Sequence, residues 1–391
     1  MSATGNIIRL NIIKIAKWFM LIMPIVVLFY NENGLGMSEV FILQSVYSIA
    51  IVVLEIPSGY MADALGRKNT LVAGSILGFL GYVIYSFSFG FVGFLFAEIV
   101  LGLGQSLISG ADSALLYDTL LDEKREKDYL KYEGRLISIG NFAEALAGIA
   151  GGFLASYALR YPYIAQAAVA FIAVPAAFTL VEPTSSKVKQ KVNFSDIISI
   201  VKFSLVDNIQ LRWNILYSSI VGAATLTMAW FVQPWMIRAE IPVEWFGVIW
   251  TVLNLSVGIT AMFAYKIELY YGKFTTAAAF TFTLALGYIA SGFITGLWGL
   301  LFIFLFYLAR GIATPILKDN INRITPSEVR ATVLSVRNFV IRIIFAVIGP
   351  LYGWITDKLS LAHALVIAGI VFLLLASVSF VFFNRTGNLN E

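Results

Sequence analysis

Long apolar runs follow one another along almost the whole chain, and they constrain its fold more than any other feature. Twelve of them are close to the roughly 20 residues that an α-helix needs to cross a bilayer. Charged residues make up 13% of the sequence, against roughly 25% in a soluble domain. Because a backbone inside lipid must satisfy its own hydrogen bonds, we expect an all-α membrane protein with twelve transmembrane helices. The predicted spans are residues 10–30, 38–62, 70–90, 92–117, 135–157, 162–181, 211–237, 245–267, 274–295, 297–322, 330–356 and 362–383.

A polar segment divides these spans into two groups of six. It carries Pro183 and several lysines, and Ser195 is a suitable N-cap for a short amphipathic helix lying on the membrane surface. We therefore predict three parts, listed by residue number. They are an N-terminal six-helix bundle (1–182), a cytoplasmic linker with a surface helix (183–210) and a C-terminal six-helix bundle (211–391).

The distribution of basic residues predicts the orientation. With both termini in the cytoplasm, most of the 27 Lys and Arg residues fall on the cytoplasmic side, and only Arg160, Arg238 and Lys358 fall in outer loops. This asymmetry is typical of multi-pass proteins that follow the positive-inside rule. We expect a protein of the plasma or inner membrane with both termini cytoplasmic.

The sequence lacks the residues that several kinds of chemistry require. There is no cysteine, and a lone histidine, His363, cannot form a metal site by itself. No G-x-x-x-x-G-K-[ST] phosphate-binding loop is present. The net charge of +4 is too small to indicate nucleic-acid binding. We therefore expect no enzymatic activity, cofactor, metal or nucleic-acid partner.

A short charged loop separates the second and third predicted spans. It reads Gly59-Tyr-Met-Ala-Asp63-Ala-Leu-Gly66-Arg67-Lys68. This stretch resembles the signature loop of the major facilitator superfamily, with the pattern G-x-x-x-D-x-x-G-R-K. The resemblance implies that Gly59, Asp63, Gly66, Arg67 and Lys68 form a cytoplasmic gate.

The two halves of the sequence also repeat one another. Ser138-Ile-Gly-Asn141-Phe142 in the fifth span matches Ser335-Val-Arg-Asn338-Phe339 in the eleventh, and Gly272-Lys273 is a diverged copy of Gly66-Arg67. Parallel six-helix repeats are a known transporter architecture with substrate held near the midplane. The resemblance thus implies two pseudo-twofold-related bundles, alternating access and a functional monomer in the lipid bilayer.

Ionisable residues within the spans are functional candidates because their burial in lipid is costly. Glu98, Gln105 and Asp112 recur every seven residues, which predicts one stripe along the fourth helix. At the position of Glu98, many drug antiporters of the superfamily carry an arginine, so that arginine's role does not transfer here. Our candidates for proton coupling are Glu98, Glu144, Asp112 and Glu55, with a structural role favoured for Asp112 and a packing role at the gate for Glu55.

Basic residues dominate the spans of the second half. Arg310 and Arg342 either pair with acids of the first half, such as Glu98 and Glu144, or hold an anionic group of the substrate. The sequence leaves both interpretations open. The predicted cavity residues are Glu98, Gln105, Asn141, Glu144, Arg310, Thr314, Asn338, Arg342, Gln44 and Trp230.

These observations favour one function over two others. The first is a secondary active transporter that moves a small amphipathic molecule by alternating access, with proton-coupled efflux. The alternative is an importer or exchanger of a small organic anion bound by Arg310 and Arg342. A non-transporting membrane receptor is the remote alternative. A small-molecule substrate and protons, or another coupling ion, are the expected partners.

Overall fold

A computed structural model describes residues 4–109, 111–184, 194–326 and 329–387, and every regular element within these ranges is a helix. Over residues 55–64 the description is limited to the backbone. The helices of the first half are α1 (Thr4–Trp18), α2 (Val26–Glu32), α3 (Met37–Leu65), α4 (Arg67–Phe87), α5 (Phe91–Ile108), α6 (Ala111–Asp122), α7 (Tyr129–Ala155) and α8 (Tyr161–Phe178). Those that follow are α9 (Phe194–Lys202), α10 (Ile209–Arg238), α11 (Glu244–Tyr271), α12 (Lys273–Phe293), α13 (Gly296–Arg323), α14 (Arg330–Lys358) and α15 (Leu361–Arg385).

The apolar runs form the helices that their length predicts, with two interruptions. Eleven helical stretches in the described ranges are long and apolar enough to cross a membrane. The surface helix expected from Ser195 is present as α9, whereas residues 185–193 of the predicted linker lie outside the described residues.

The first predicted span, residues 10–30, is not one continuous helix. Its two halves, α1 and α2, are separated by residues 19–25. Pro24 lies in this interruption, and a proline lacks the N–H that a continuous helix needs. The N–H of Leu21 donates instead to Oε1 of Gln166, at 2.8 Å. The carbonyl of Leu21 packs so closely on Gly151 that a Cβ there would lie 1.9 Å from the carbonyl oxygen.

The fourth predicted span, residues 92–117, is also interrupted. Helix α5 ends at Ile108, and Ser109 is extended, with φ −62° and ψ 122°. Glu98 and Gln105 share α5, but Asp112 lies on α6. The expected single stripe is therefore wrong for Asp112, because the extended backbone at Ser109 breaks the helical phase.

The described residues group into two compact units. The first takes in Met1–Leu35, Val46–Val192 and Val243–Thr251, and the second takes in Gly36–Ser45, Asn193–Pro242 and Val252–Glu391. These units differ from the predicted bundles in two segments. The start of α3 belongs to the second unit, and the start of α11 belongs to the first.

The same packing order recurs in each unit. In the first unit α4 packs on α5 and α8, and α1 packs on α7 and α8. In the second unit α12 packs on α13 and α15, and α10 packs on α14 and α15. The sequence repeat is thus also a repeat of helix packing.

Candidate functional site

Glu98 is buried in the interior of the first unit, with 5% of its surface exposed. Its Oε1 atom accepts a hydrogen bond from the hydroxyl of Tyr30 at 2.9 Å and from the hydroxyl of Tyr85 at 2.7 Å. The two hydroxyl oxygens are themselves 2.5 Å apart. Helices α2, α4 and α5 therefore bring three oxygen atoms into mutual contact. We call Glu98, Tyr30 and Tyr85 the Glu98 cluster.

Hydrogen counting over these three contacts distinguishes the two protonation states of Glu98. Each tyrosine has one hydroxyl hydrogen, so two hydrogens are available for three short oxygen contacts when Glu98 is ionised. A third hydrogen, on the carboxyl group, lets all three contacts be hydrogen bonds. When Glu98 is ionised, both tyrosines can donate to it and the contact between their hydroxyl oxygens has no hydrogen. When Glu98 is protonated, all three contacts can be hydrogen bonds.

Aromatic rings surround the Glu98 cluster. Tyr163 of α8 is fully buried, stacks on Phe29 with ring centroids 3.9 Å apart, and lies 5.2 Å from the ring of Tyr85. Phe94 stacks on Tyr85 at 5.4 Å. The hydroxyl of Tyr163 has no hydrogen-bond partner in the described part of the chain. The carboxyl group thus lies in an apolar enclosure that holds a further hydroxyl.

Arg160 closes one end of this enclosure. Its guanidinium donates to the backbone carbonyls of Ser86 and Ser88, at 2.9 and 3.0 Å, and to Oδ1 of Asn33 at 2.9 Å. Burial lowers the pKa of Arg160 from its ordinary value, and the nearby carboxylate of Glu32 opposes that shift. Arg160 thereby fixes the end of α4, which carries Tyr85.

The signature loop is organised by two acids that the sequence analysis did not single out. Arg67 forms an ion pair with Asp118 of α6 at 2.5 Å. Glu182 accepts hydrogen bonds from the backbone N–H groups of Arg67 and Lys68, at 2.8 and 2.7 Å. Gly66 precedes α4 with a φ of 90°, a conformation that favours glycine. Of the other predicted gate residues, Gly59 and Asp63 are described by their backbone alone, and so is Glu55.

Asp112 has a structural partner in the first unit. Its carboxylate lies 3.5 Å from Nζ of Lys14, and Oδ1 accepts the N–H of Ser113 at 2.9 Å. These contacts tie α1 to the start of α6. The structural role favoured for Asp112 stays a prediction, and its carboxylate is not one of the oxygen atoms of the Glu98 cluster.

The other predicted cavity residues differ in exposure. Asn141 and its repeat counterpart Asn338 are both exposed, and Glu144 is half-buried. Gln44 is buried, with 6% of its surface exposed. The remaining two of this group, Gln105 and Trp230, are half-buried.

The second unit carries the basic side chains. Arg310 is half-buried and lies over the ring of Tyr307 at 5.6 Å, and Thr314 donates to the backbone carbonyl of Arg310 at 2.9 Å. Arg342 is also half-buried. Neither arginine forms an ion pair within the residues that the structure describes.

A third arginine, Arg337, is the most buried of this group, with 5% of its surface exposed. Its Nη1 donates to Oδ1 of Asn338 at 3.3 Å. The sequence analysis quoted Arg337 within the repeated stretch but assigned it no role. The available signal was a charged residue in the middle of an apolar span.

Comparison with known sequences identifies the family. The sequence model of the Major Facilitator Superfamily matches residues 15–350. Multidrug resistance protein 2 of Bacillus subtilis (strain 168) is 28% identical over 166 residues, which are 42% of this chain and 40% of that protein. Quinolone resistance protein NorA of Staphylococcus aureus (strain MRSA252) is 21% identical over 167 residues, 43% of this chain and 42% of that protein. The chain thus spans about two fifths of the length of these curated relatives.

Solved structures share the fold at low sequence identity. The crystal structure of the nucleoside transporter NupG matches with a TM-score of 0.81 and 13% identity, over 98% of this chain and 99% of that one. The crystal structure of a D-xylose-proton symporter matches with a TM-score of 0.72 and 14% identity, over 99% of this chain and 98% of that one. Because the family match covers most of the sequence and these structures have the same fold, the chain belongs to the Major Facilitator Superfamily.

Proposed function

We propose that this protein is a secondary active transporter that moves a small amphipathic molecule by alternating access, with protons driving efflux. It acts as a monomer in the plasma or inner membrane, with both termini in the cytoplasm. The two bundles, residues 1–182 and 211–391, rock about the substrate, and the 183–210 segment links them. This proposal rests on family membership and on one structural observation, the Glu98 cluster.

The Glu98 cluster supports proton coupling. A carboxyl group that is 5% exposed and surrounded by aromatic rings is costly to ionise. Two tyrosine hydroxyls reduce that cost by donating to the carboxylate, while protonation adds a third hydrogen bond. Glu98 is therefore suited to bind and release a proton. Glu144, which is half-buried on α7, is the second candidate.

Efflux of an amphipathic molecule is supported by the curated relatives. Two of them are named for resistance to multiple drugs and to quinolones. The sequence holds no phosphate-binding loop for ATP. An ion gradient is then the simplest source of energy for extrusion.

The experiment is flux in proteoliposomes, with a panel of cationic, anionic and neutral amphiphiles, with and without an imposed pH gradient. We expect the extrusion of at least one amphiphile by the wild-type protein to follow the gradient. Glu98→Gln removes the titratable group but keeps the shape of the side chain and an oxygen that accepts from Tyr30 and Tyr85. Flux in this variant should therefore lose its response to the gradient.

Glu32→Gln is the matched control. Glu32 lies on α2, the helix that carries Tyr30, but its side chain is exposed. This variant should keep the wild-type response. Flux that ignores pH in the wild-type protein would remove Glu98 and Glu144 from the coupling role, and a defect confined to Glu144→Gln would move that role to Glu144.

A second candidate function is the import or exchange of a small organic anion. The observation that favours it is that Arg310 and Arg342 form no ion pair in the described part of the second unit. A guanidinium binds carboxylate or phosphate well. The same flux panel separates the two candidates, because preference for cationic or neutral amphiphiles contradicts the anion function.

A further inference from the structure

The guanidinium of Arg337 is held inside the second unit by neutral partners. Its Nε donates to Oγ of Ser218 on α10 at 2.5 Å, and its Nη1 donates to Oδ1 of Asn338 at 3.3 Å. The backbone carbonyl of Arg337 accepts from Ser219 at 3.2 Å. Helices α10 and α14 therefore fix the side chain in place. None of these three partners carries a negative charge.

Among the described residues, no carboxylate pairs with this buried charge. Arg337 forms no ion pair in the described ranges. Asp319 of the adjacent helix α13 pairs with Arg323 instead, at 2.7 Å. A buried cation without a counter-ion is strongly unfavourable.

One nitrogen of the guanidinium, Nη2, is left for a further ligand. Its Nη2 has no hydrogen-bond acceptor among the described residues, and it is not sealed from the surface. Gly222 of α10 lies beside it, and a Cβ added there would be 3.7 Å from Nη2, in ordinary van der Waals contact. A second cation, Lys318 of α13, has an exposed side chain and lies within electrostatic range of Arg337.

The internal repeat argues against a purely structural role. The counterpart of Arg337 in the repeated stretch of the first half is Gly140, between Ile139 and Asn141. An arginine that only supported the shared packing of the two units would be expected in both copies. Arg337 is a property of the second copy alone.

We propose that Arg337, assisted by Lys318, binds an anionic oxygen group, a carboxylate or a phosphate, in the interior of the second unit. Nη1 and Nη2 present a fork that suits two oxygen atoms of such a group. The group belongs either to a small organic anion or to a lipid headgroup. If it is cargo, this inference rests on the second candidate function and gives it an anchor other than Arg310 or Arg342.

The test is equilibrium binding to the purified full-length protein in maltoside micelles, which contain no phosphate. The probes are 2-naphthoate, 2-naphthyl phosphate, neutral 2-naphthylmethanol and cationic 2-naphthylmethylamine, which share one ring system. We expect the two anions to bind at least about tenfold more tightly than the alcohol. Arg337→Gln should abolish that difference, and Arg337→Lys should reduce it because it keeps the charge but loses the fork.

Arg330→Gln is the matched control on α14. Arg330 is half-buried and donates to the carbonyl of Thr325 at 3.2 Å. It should retain the preference for anions. Arg337→Lys keeps a cation at this position, so it covers the case in which Arg337→Gln does not fold: an unchanged preference in Arg337→Lys would contradict binding through the fork.

Further outcomes identify whether the bound anion is a lipid headgroup or a free molecule, and which results would overturn the proposal. Phosphatidylglycerol that competes with the naphthyl anions in wild type identifies a lipid headgroup as an occupant, and absence of competition favours a free anion. Equal binding of all four probes, or an unchanged preference in Arg337→Gln, overturns the proposal. So does a loss of preference in Arg342→Gln alone. Because no gradient or translocation enters this assay, it can succeed even where the flux experiment fails.

Discussion

Glu98 combines deep burial with two hydroxyl donors, and the contribution of each can be separated by substitution. Glutamine keeps the size of the side chain and an oxygen that can accept from both tyrosines, but that oxygen cannot carry the hydrogen of a protonated carboxyl group. Leucine has a similar size but offers no acceptor. The two substitutions therefore differ in what they leave for Tyr30 and Tyr85.

We expect the free energy of unfolding of Glu98→Gln to lie within about 1 kcal/mol of wild type, because the amide oxygen still accepts from Tyr30 and Tyr85. Glu98→Leu should lower the free energy of unfolding by about 1–3 kcal/mol, because the hydroxyl groups lose their acceptor. Unfolding of the purified protein in mixed micelles, followed by tryptophan fluorescence, measures both. Equal stability of the leucine and glutamine variants would mean that the tyrosine hydroxyls do not depend on Glu98.

The ion pair of Arg67 and Asp118 should be asymmetric in its response to mutation. The side chain of Asp118 is 8% exposed and that of Arg67 is 19% exposed. Arg67→Gln removes the cation that pairs with this buried carboxylate and should cost about 3 kcal/mol. Asp118→Asn should cost less, about 1 kcal/mol, because Arg67 keeps the carbonyl of Ala114 and reaches water.

A double-mutant cycle in the same unfolding assay checks this asymmetry. The Arg67→Gln, Asp118→Asn variant should be more stable than Arg67→Gln alone, because it removes the uncompensated charge. Strictly additive losses would contradict a direct coupling between the two side chains.

Single residues were predictable from sequence where their chemistry alone sets them apart. Glu98 was predicted because an acid within an apolar run requires a reason. Tyr30, Tyr85 and Tyr163 were not, because their positions around Glu98 depend on the packing of helices far apart in the chain. Arg337 gave the same kind of signal as Glu98, but its lack of a counter-ion is visible only in three dimensions.

At the scale of elements, the spans were predictable because a lipid-facing helix must be long and apolar. The interruptions at residues 19–25 and at Ser109 were not, because hydropathy averages over a run and does not report which hydrogen bonds continue. Pro24 was the available signal for the first interruption. Its stabilisation by Gln166 and Gly151 depends on α8 and α7, which no local pattern specifies.

The repeat offers a matched pair of glycines at the starts of α4 and α12. Gly66 and Gly272 have φ values of 90° and 80°. A Cβ at Gly66 would lie 3.2 Å from the carboxyl group of Glu182, whereas a Cβ at Gly272 meets no atom within 4 Å. Alanine therefore adds backbone strain at both positions but disturbs a neighbour only at Gly66.

We expect Gly272→Ala to cost about 1 kcal/mol and Gly66→Ala about 2–3 kcal/mol. The extra cost arises because a displaced Glu182 no longer accepts from the first N–H groups of α4. The unfolding assay used for Glu98 measures the difference. Equal costs would show that Glu182 accommodates the added methyl group without loss.

For the whole molecule, the main finding beyond the sequence is that α3 and α11 are each divided between the two units. In the second unit, the backbone of Met37 packs so closely on α14 that a Cβ at Gly353 would lie 2.5 Å from its carbonyl oxygen. In the first unit, a Cβ at Gly152 would lie 2.8 Å from the backbone nitrogen of Gly247. Glycine thus permits the same close helix approach in both copies, at sites that composition does not distinguish.

The start of α3 is held in the second unit by Asp357 of α14. The carboxylate accepts from the N–H groups of Met37 and Ser38, both at 2.8 Å, and from the hydroxyl of Ser38. An acid at a helix N-terminus satisfies donors that the helix itself cannot. If alternating access separates α3 from α14, this cap must break in each cycle.

A cysteine-labelling experiment can measure how often that separation occurs. The sequence contains no cysteine, so Ser45→Cys introduces a single thiol at a position that is 5% exposed and lies in the α3 segment of the second unit. Maleimide should label it slowly in an otherwise wild-type chain. In an Asp357→Ala background we expect labelling about five- to thirty-fold faster, because loss of a cap worth about 1–2 kcal/mol favours the separated state. Ser138→Cys, which is exposed on α7, should react at the same rate in both backgrounds. Equal labelling of Cys at position 45 with and without Asp357 would mean that other contacts, such as the packing of Gly353 on Met37, hold α3 in place, and that Asp357 does not control its release.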